Sequence, residues 1–189
     1  MAITYHDLYL KTRMALSSAG IEAAQLEARE ILCAAAEKTA EELYRDISLY
    51  TTDAIAEKTE ALQARRLAGE PIAYLLGEWS FCGLPFFVSP AALIPRVDTE
   101  MLAQLAMNRL KEHPGHTRIL DLCAGTGCVG LTAAALLKNT RAVLVDLSDG
   151  ALDLCKRNIR RHKLTGRAVS LKGDALQAPS HALGQFDVL

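Results

Sequence analysis

The chain has 189 residues, half of them apolar, and its 21 basic side chains against 22 acidic ones give a formal net charge of −1. This composition predicts a packed globular protein with room for one ordinary domain or two small ones. The balanced charge argues against a general nucleic-acid binder, and no apolar run is long enough to cross a bilayer. The first residues do not resemble a signal peptide, so we expect a cytoplasmic protein without membrane contact.

The five cysteines are scattered along the chain and form no Cys-x-x-Cys pair. This spacing predicts neither a disulfide framework nor a metal site. We interpret the cysteines as small apolar packing residues.

Residues 1–70 are predicted to form a helical bundle, because the apolar positions recur at helical spacing. Gly20 separates the first two helices, Thr39 and Glu42 have the spacing of a capping box for a short third helix, and a longer fourth helix follows. The bundle carries no side chains typical of catalysis. We expect it to recognise a partner, and a structural cap is the alternative.

Residues 71–96 form a connecting segment that we predict to be rich in β structure. Apolar runs at 72–76, 78–81 and 86–88 surround a glycine–proline turn, and the segment holds the single Trp and three of the four Phe. Such aromatic density favours a core that joins two domains over a ligand cage. A helix is predicted from Met101 to about Lys111.

Residues 118–131 have the pattern of a strand, a tight glycine loop and a helix. Gly125 and Gly127 can take positive φ and let a ligand approach the backbone, while the helix presents unpaired N–H groups. The stretch from Gly125 to Gly130 also satisfies the dinucleotide pattern G-x-G-x-x-G. Asp121, at the end of the strand, would repel a pyrophosphate and favours a cationic ligand such as S-adenosylmethionine.

Two more predicted strands end in acids, Asp146 and Asp174. Asp146 has the spacing from the glycines of an acid that accepts both ribose hydroxyls, and Asp174 could accept from an adenine amino group. Because ligands of open α/β sheets gather at the carboxyl ends of the strands, we expect these acids and Asp121 to converge on one crevice. For each acid, a helix cap or a turn is the alternative role.

Three stretches resemble the peptide chain release factor glutamine methyltransferases, a family of class I S-adenosylmethionine-dependent enzymes: Gly69 to Tyr74, Gly83 to Phe86 and Leu93 to Glu100. The resemblance covers nearly the whole chain. It implies an α/β fold with an N-terminal helical bundle (residues 1–70), a β-hairpin linker (71–96) and the first half of a Rossmann-like methyltransferase sheet (97–189).

The resemblance implies methyl transfer from S-adenosylmethionine to a glutamine amide of a release factor, and we expect a monomer. It places Arg96, Thr99 and Glu100 near the substrate. The predicted cofactor site comprises the acids, the loop and the residue after the last acid: Asp121, Cys123, Ala124, Gly125, Thr126, Gly127, Asp146, Asp174 and Ala175.

The sequence departs from the family's pattern at three places. Val97 stands where proline is usual, and Ala175 stands where an aromatic residue is common, which weakens stacking on the adenine. The family's Asn-Pro-Pro-Tyr motif, whose oxygens hold the amide for in-line transfer, does not occur in these 189 residues. We therefore expect the N-terminal part of such an enzyme, without these catalytic residues and inactive alone.

Three other functions stay open. A ribosomal-protein glutamine methyltransferase is disfavoured by the stretch from Arg96 to Glu100, which resembles the release-factor branch. A fragment of a nicotinamide-dependent oxidoreductase is disfavoured by Asp121. A non-catalytic module that binds a translation factor predicts partner binding that survives disruption of the glycine loop.

Overall fold

A computed structural model describes residues 3–177 and 181–189. The chain divides into two compact units, Met1–Leu76 and Gly77–Leu189. Among the described residues, no helix has both the length and the apolar composition needed to cross a membrane.

The described part of the first unit is helical. Three of its helices begin after a threonine whose hydroxyl accepts a backbone N–H of the first turn, and the predicted capping box of Thr39 and Glu42 is confirmed. The chain turns at Gly20, at φ 78°, between the first two helices. The helices are α1 (Tyr5–Ser18), α2 (Ala24–Ala36), α3 (Ala40–Arg45), α4 (Asp53–Leu67) and α5 (Ile72–Leu76).

The core of the first unit lies between α1, α2 and the helices packed on them. Leu8, Leu16, Ile31 and Leu32 are fully buried there. These side chains recur at helical spacing, which is why the sequence pattern predicted the bundle.

The prediction of β structure at residues 72–76 is wrong, because this run forms α5. The Pro71 carbonyl accepts the amides of Tyr74 and Leu75, and proline suits the first turn of a helix. Ala73 and Leu75 are buried, and α5 packs on α2 and α4. A run of five apolar residues does not distinguish a strand from a short buried helix.

The second unit begins with the predicted β-hairpin, which is confirmed. Strands β1 (Glu78–Phe81) and β2 (Leu84–Phe87) pair antiparallel. Cys82 and Gly83 form the two-residue turn with φ of 49° and 73°, the positive values that match the twist of a tight hairpin.

A parallel sheet of order β3-β4-β5 forms the centre of the second unit. On the free edge of β3, Val188 makes a parallel bridge to Ile119. Parallel neighbours joined by crossover helices confirm the predicted Rossmann-like arrangement. The elements are α6 (Val97–Lys111), β3 (Thr117–Leu122), α7 (Cys128–Leu136), β4 (Thr140–Asp146), α8 (Asp149–Arg161), β5 (Ala168–Lys172) and a 3₁₀ turn (His181–Leu183).

Helix α6 begins at Val97, before the predicted Met101. Asp98 and Glu100 lie in its first turn, where their charges favour the positive end of the helix.

The two faces of the sheet have different surroundings. Ile119, Ala142 and Leu144 pack into a core with α6, α7, α8 and the hairpin. Leu120, Val143 and Val145 point to the other face and form a smaller cluster with residues that include Leu171, Leu183 and Phe186. This alternation follows from the period of two in a strand.

Candidate cofactor site

The loop between β3 and α7 is a tight turn held by backbone hydrogen bonds within the loop and to β4. Cys123, Gly125 and Gly127 have φ of 56°, 56° and 77°. The Gly127 amide donates to the Ala124 carbonyl at 2.7 Å, and the Ala124 amide donates to the Val145 carbonyl at 3.0 Å. We call residues 123–127 the glycine loop.

The glycines near this loop serve different purposes. A Cβ on Gly130 would lie 2.6 Å from Leu144 Cδ2 and 3.1 Å from Asp121 Cβ, so glycine lets α7 pack closely on the sheet. A Cβ on Gly125 would meet only Ala92, at 3.7 Å, within 4 Å. Within the G-x-G-x-x-G match, the last glycine, Gly130, is therefore needed for helix–sheet packing. The first, Gly125, is needed for its positive φ.

Asp146, at the end of β4, binds the glycine loop directly. Its Oδ2 accepts the Gly125 amide at 2.8 Å, and its Oδ1 accepts the Ser148 amide at 2.9 Å. A carboxylate has about four acceptor positions, so two are left for hydroxyl donors. The half-buried side chain can thus hold a ribose while fixing the loop.

Asp121, at the end of β3, lies at the start of α7. Its Oδ2 accepts the Gly130 amide at 2.9 Å, which satisfies one N–H of the first helical turn. Burial raises the pKa of Asp121 and the nearby charge of Asp146 adds to this, while the hydrogen bond from the Gly130 amide lowers the pKa; the net result is a pKa of about 6. The two acids make the surroundings of the loop negative, which favours a cation over a phosphate.

Asp174 follows the end of β5. With Ala175 it lines a cavity of about 780 Å³ next to Leu122, Val145 and Gly173, whereas Asp121 lines a separate cavity of about 350 Å³ beside α6. The backbone still links the strand ends, because the Gly173 amide donates to the Asp146 carbonyl at 3.1 Å. The structure therefore places Asp146 against the glycine loop, Asp121 against the first turn of α7 and Asp174 after β5.

The three residues predicted to lie near a substrate are at the start of α6. Arg96 is exposed, and its carbonyl accepts the Thr99 amide. Glu100 accepts the Cys82 amide of the hairpin turn at 2.7 Å. The side chain of Glu100 thus has a structural role in holding the hairpin to α6.

Two residues of α8 contact the glycine loop, although the sequence did not predict them as part of the site. The Cys155 thiol donates to the Gly125 carbonyl at 3.2 Å, and the Asn158 Nδ2 donates to the Thr126 carbonyl at 2.9 Å. Burial raises the pKa of the Cys155 thiol to about 12, so it keeps the proton that it donates. An asparagine on the apolar stripe of α8, one turn after Cys155, was the available signal.

All five cysteines are free. Within residues 3–177 and 181–189, no group of three His, Cys, Asp or Glu side chains is arranged to hold a metal ion.

Comparison with known proteins identifies both units. Residues 7–77 match the PrmC N-terminal domain, and residues 96–189 match the methyltransferase small domain. Proteins named release factor glutamine methyltransferase are 35% identical over 176 residues in Nitratidesulfovibrio vulgaris and 32% identical over 189 residues in Aliivibrio fischeri. Over nearly its whole length the chain is similar to release factor glutamine methyltransferases. The resemblance seen in the sequence is thereby confirmed.

The matches cover more of this chain than of its relatives. They include 90% of this chain and 57% of the Nitratidesulfovibrio vulgaris protein, and 100% and 65% for Aliivibrio fischeri. A relative of the same name from Escherichia coli K12 is 47% identical over 57% of this chain and 38% of its own length. The chain thus spans about three fifths of the length of the Nitratidesulfovibrio vulgaris and Aliivibrio fischeri proteins.

Solved structures also match in part. A SAM-dependent methyltransferase from Geobacter sulfurreducens, in complex with S-adenosyl-L-homocysteine, has a TM-score of 0.36 and 23% identity over 41% of this chain and 30% of that one. Another, from Thiobacillus denitrificans, has a TM-score of 0.37 and 26% identity over 46% of this chain and 40% of that one.

Proposed function

We propose that this chain forms the cofactor-binding part of an enzyme that transfers a methyl group from S-adenosylmethionine to a glutamine side-chain amide of a peptide chain release factor. The relatives named release factor glutamine methyltransferase support the reaction. The cofactor assignment rests on the contact of Asp146 with the Gly125 amide, near the second acid, Asp121.

The donor set near the glycine loop fits S-adenosylmethionine, which supplies an electrophilic methyl group on a sulfonium. In this proposal Asp146 accepts from the ribose hydroxyls with its two remaining acceptor positions. The glycine loop, residues 123–127, borders the methionine end, where the charge of Asp121 attracts the ammonium and sulfonium. Asp174 and Ala175 border the adenine.

In this proposal the helical unit recognises the release factor. Arg96, Thr99 and Glu100 lie on the substrate side of the cofactor. We further propose that the enzyme acts in the cytoplasm as a monomer, without direct contact to nucleic acid. Its methyl acceptor is an amide nitrogen, which has to be held in line with the methyl carbon and the sulfur.

Calorimetric titration of the 189-residue chain with S-adenosylmethionine tests the cofactor. Binding is the appropriate readout, since the Asn-Pro-Pro-Tyr motif that holds the amide in resembling enzymes does not occur in this sequence. We expect binding that Asp146→Ala weakens by about tenfold or more, because hydrogen bonds to a charged acceptor are lost. Asp153→Ala removes an exposed acid of α8 and serves as the matched control.

An NADH titration separates this proposal from a nicotinamide-dependent enzyme. We expect no NADH binding, because Asp121 repels the pyrophosphate. Binding of NADH, or no binding of S-adenosylmethionine by protein shown by circular dichroism to be folded, would overturn the cofactor assignment.

A further inference from the structure

Asn158, in the middle of α8, is fully buried and makes three hydrogen bonds through its side chain. Its Oδ1 accepts the Phe87 amide at 2.8 Å, and its Nδ2 donates to the Phe87 carbonyl at 3.1 Å and to the Thr126 carbonyl at 2.9 Å. One side chain therefore pairs with both backbone groups of a hairpin residue and with the glycine loop. A buried amide with its partners satisfied is costly to replace.

The bonds from α8 determine which way the loop amides point. The Gly125 and Thr126 carbonyls both face α8, where they accept from Cys155 and Asn158. In a planar trans peptide the N–H points opposite to the carbonyl of the same unit, so the Thr126 amide is directed away from α8. In the next peptide unit the Gly127 amide lies opposite the Thr126 carbonyl and donates to the Ala124 carbonyl. The bonds from α8 thus fix the orientation of both peptide units.

The hairpin is fixed to the same helix. The guanidinium groups of Arg157 and Arg161 lie 4.6 Å and 4.3 Å from the centre of the Phe87 ring. Arg161 also pairs with Glu78, the partner of Phe87 in the hairpin register, at 2.5 Å. Asn158 is the side chain among these that also reaches the glycine loop.

We propose that Asn158 is a positioning residue that orients the glycine loop for the cofactor through the Thr126 carbonyl and links the loop to the hairpin. The identity of the ligand rests on the proposed function. The effect of Asn158 on the loop is a property of the chain itself and can be measured without any ligand.

The test compares Asn158→Leu, which removes all three hydrogen bonds at similar volume, with Ile159→Ala. Ile159 is the next residue of α8 and is buried in the main core. Its side chain makes no hydrogen bond, so its variant controls for general loss of stability. Two quantities are measured on the whole chain: hydrogen exchange of the amides at 125–127 without ligand, and affinity for S-adenosylhomocysteine. If the leucine variant does not fold, Asn158→Ala replaces it, because a water can occupy the vacated polar site.

We expect Asn158→Leu to speed exchange of the loop amides and to weaken S-adenosylhomocysteine binding by about tenfold or more, as the loss of two or more buried hydrogen bonds predicts. Ile159→Ala should lower stability without either effect. Equal exchange and equal affinity in the two variants would overturn the positioning role while leaving the proposed cofactor intact. If the wild type does not bind the ligand, the cofactor assignment fails, and the exchange comparison alone decides the role of Asn158.

Discussion

Asp146 and Gly125 are joined by a 2.8 Å hydrogen bond from the glycine amide to the carboxylate, across the ends of β3 and β4. The other carboxylate oxygen accepts the Ser148 amide at the start of α8. One acid therefore fixes the glycine loop and the turn after β4. A side chain that would accept ribose hydroxyls is already held in place by the backbone around it, which reduces the ordering required on binding.

Asp146→Asn should weaken S-adenosylhomocysteine binding by about tenfold or more and lower the free energy of unfolding by about 1 to 2 kcal/mol. The asparagine keeps one acceptor oxygen, but its NH₂ group would face the amide of Gly125 or Ser148. Calorimetric titration and urea unfolding measure the two effects. Asp149→Asn, which alters an exposed pair with Lys172, is the control and should shift stability by less than about 0.5 kcal/mol.

The order of elements in the second unit could be predicted because strands that end in acids and glycine loops have strong local patterns. The contact partners of the acids could not be predicted. Asp146 accepts from the glycine loop and Asp121 from the first turn of α7, whereas Asp174 lines a cavity beside β5. Which carboxylate faces which amide depends on how closely α7 packs on the sheet, and Gly130 sets that distance through contacts distant in sequence.

For Asn158 too, the contact partners could not be predicted from the sequence. Its position on the apolar stripe of α8 is visible in the sequence, but its partners lie 71 and 32 residues away along the chain. The prediction of β structure at residues 72–76 failed for a local reason, because five apolar residues fit a short helix as well as a strand.

Gly130→Ala should lower the free energy of unfolding by about 1 to 3 kcal/mol, the usual cost of overpacking a core. The added Cβ would lie 2.6 Å from Leu144 Cδ2, and Leu144 is fully buried, so its side chain has little room to move. Urea unfolding measures the change.

Gly166→Ala is the matched control for that substitution. A Cβ at Gly166 meets nothing within 4 Å and its φ is not in the left-handed range. Alanine there should leave stability unchanged or raise it by about 0.4 to 1 kcal/mol by restricting the unfolded chain. An equal loss of stability in both variants would contradict the packing role of Gly130.

Asp121 should make stability depend on pH between about 4 and 6. Its pKa is about 6 in the folded protein against an ordinary value of 3.8. Below pH 4 the carboxyl is protonated in both states; as pH rises the unfolded state loses the proton first, so the free energy of unfolding falls until the folded carboxyl also ionises. Urea unfolding of the wild type and Asp121→Asn from pH 4 to 8 measures this as a difference between the proteins.

The difference should favour the wild type most at pH 4, decline as pH rises to about 6 and stay level above it. The asparagine can still accept the Gly130 amide, and other titrating groups cancel in the comparison. A difference that does not change with pH would contradict a raised pKa of Asp121. Affinity for S-adenosylmethionine should rise over the same range in the wild type only, because the ionised carboxylate attracts the cation.

The helical unit offers a prediction independent of the cofactor. Glu27 on α2 and Arg66 on α4 form a two-point ion pair with distances of 2.6 Å and 3.2 Å, and Glu27 is only 7% exposed. Glu27→Ala should lower the free energy of unfolding by about 3 kcal/mol, because it leaves a poorly solvated guanidinium without its partner. Replacing both residues, as Glu27→Leu with Arg66→Met, should recover most of the loss. Lys11→Ala breaks an exposed pair between α1 and α4 and should cost less than about 1 kcal/mol, so an equal cost for both single variants in urea unfolding would refute the burial argument.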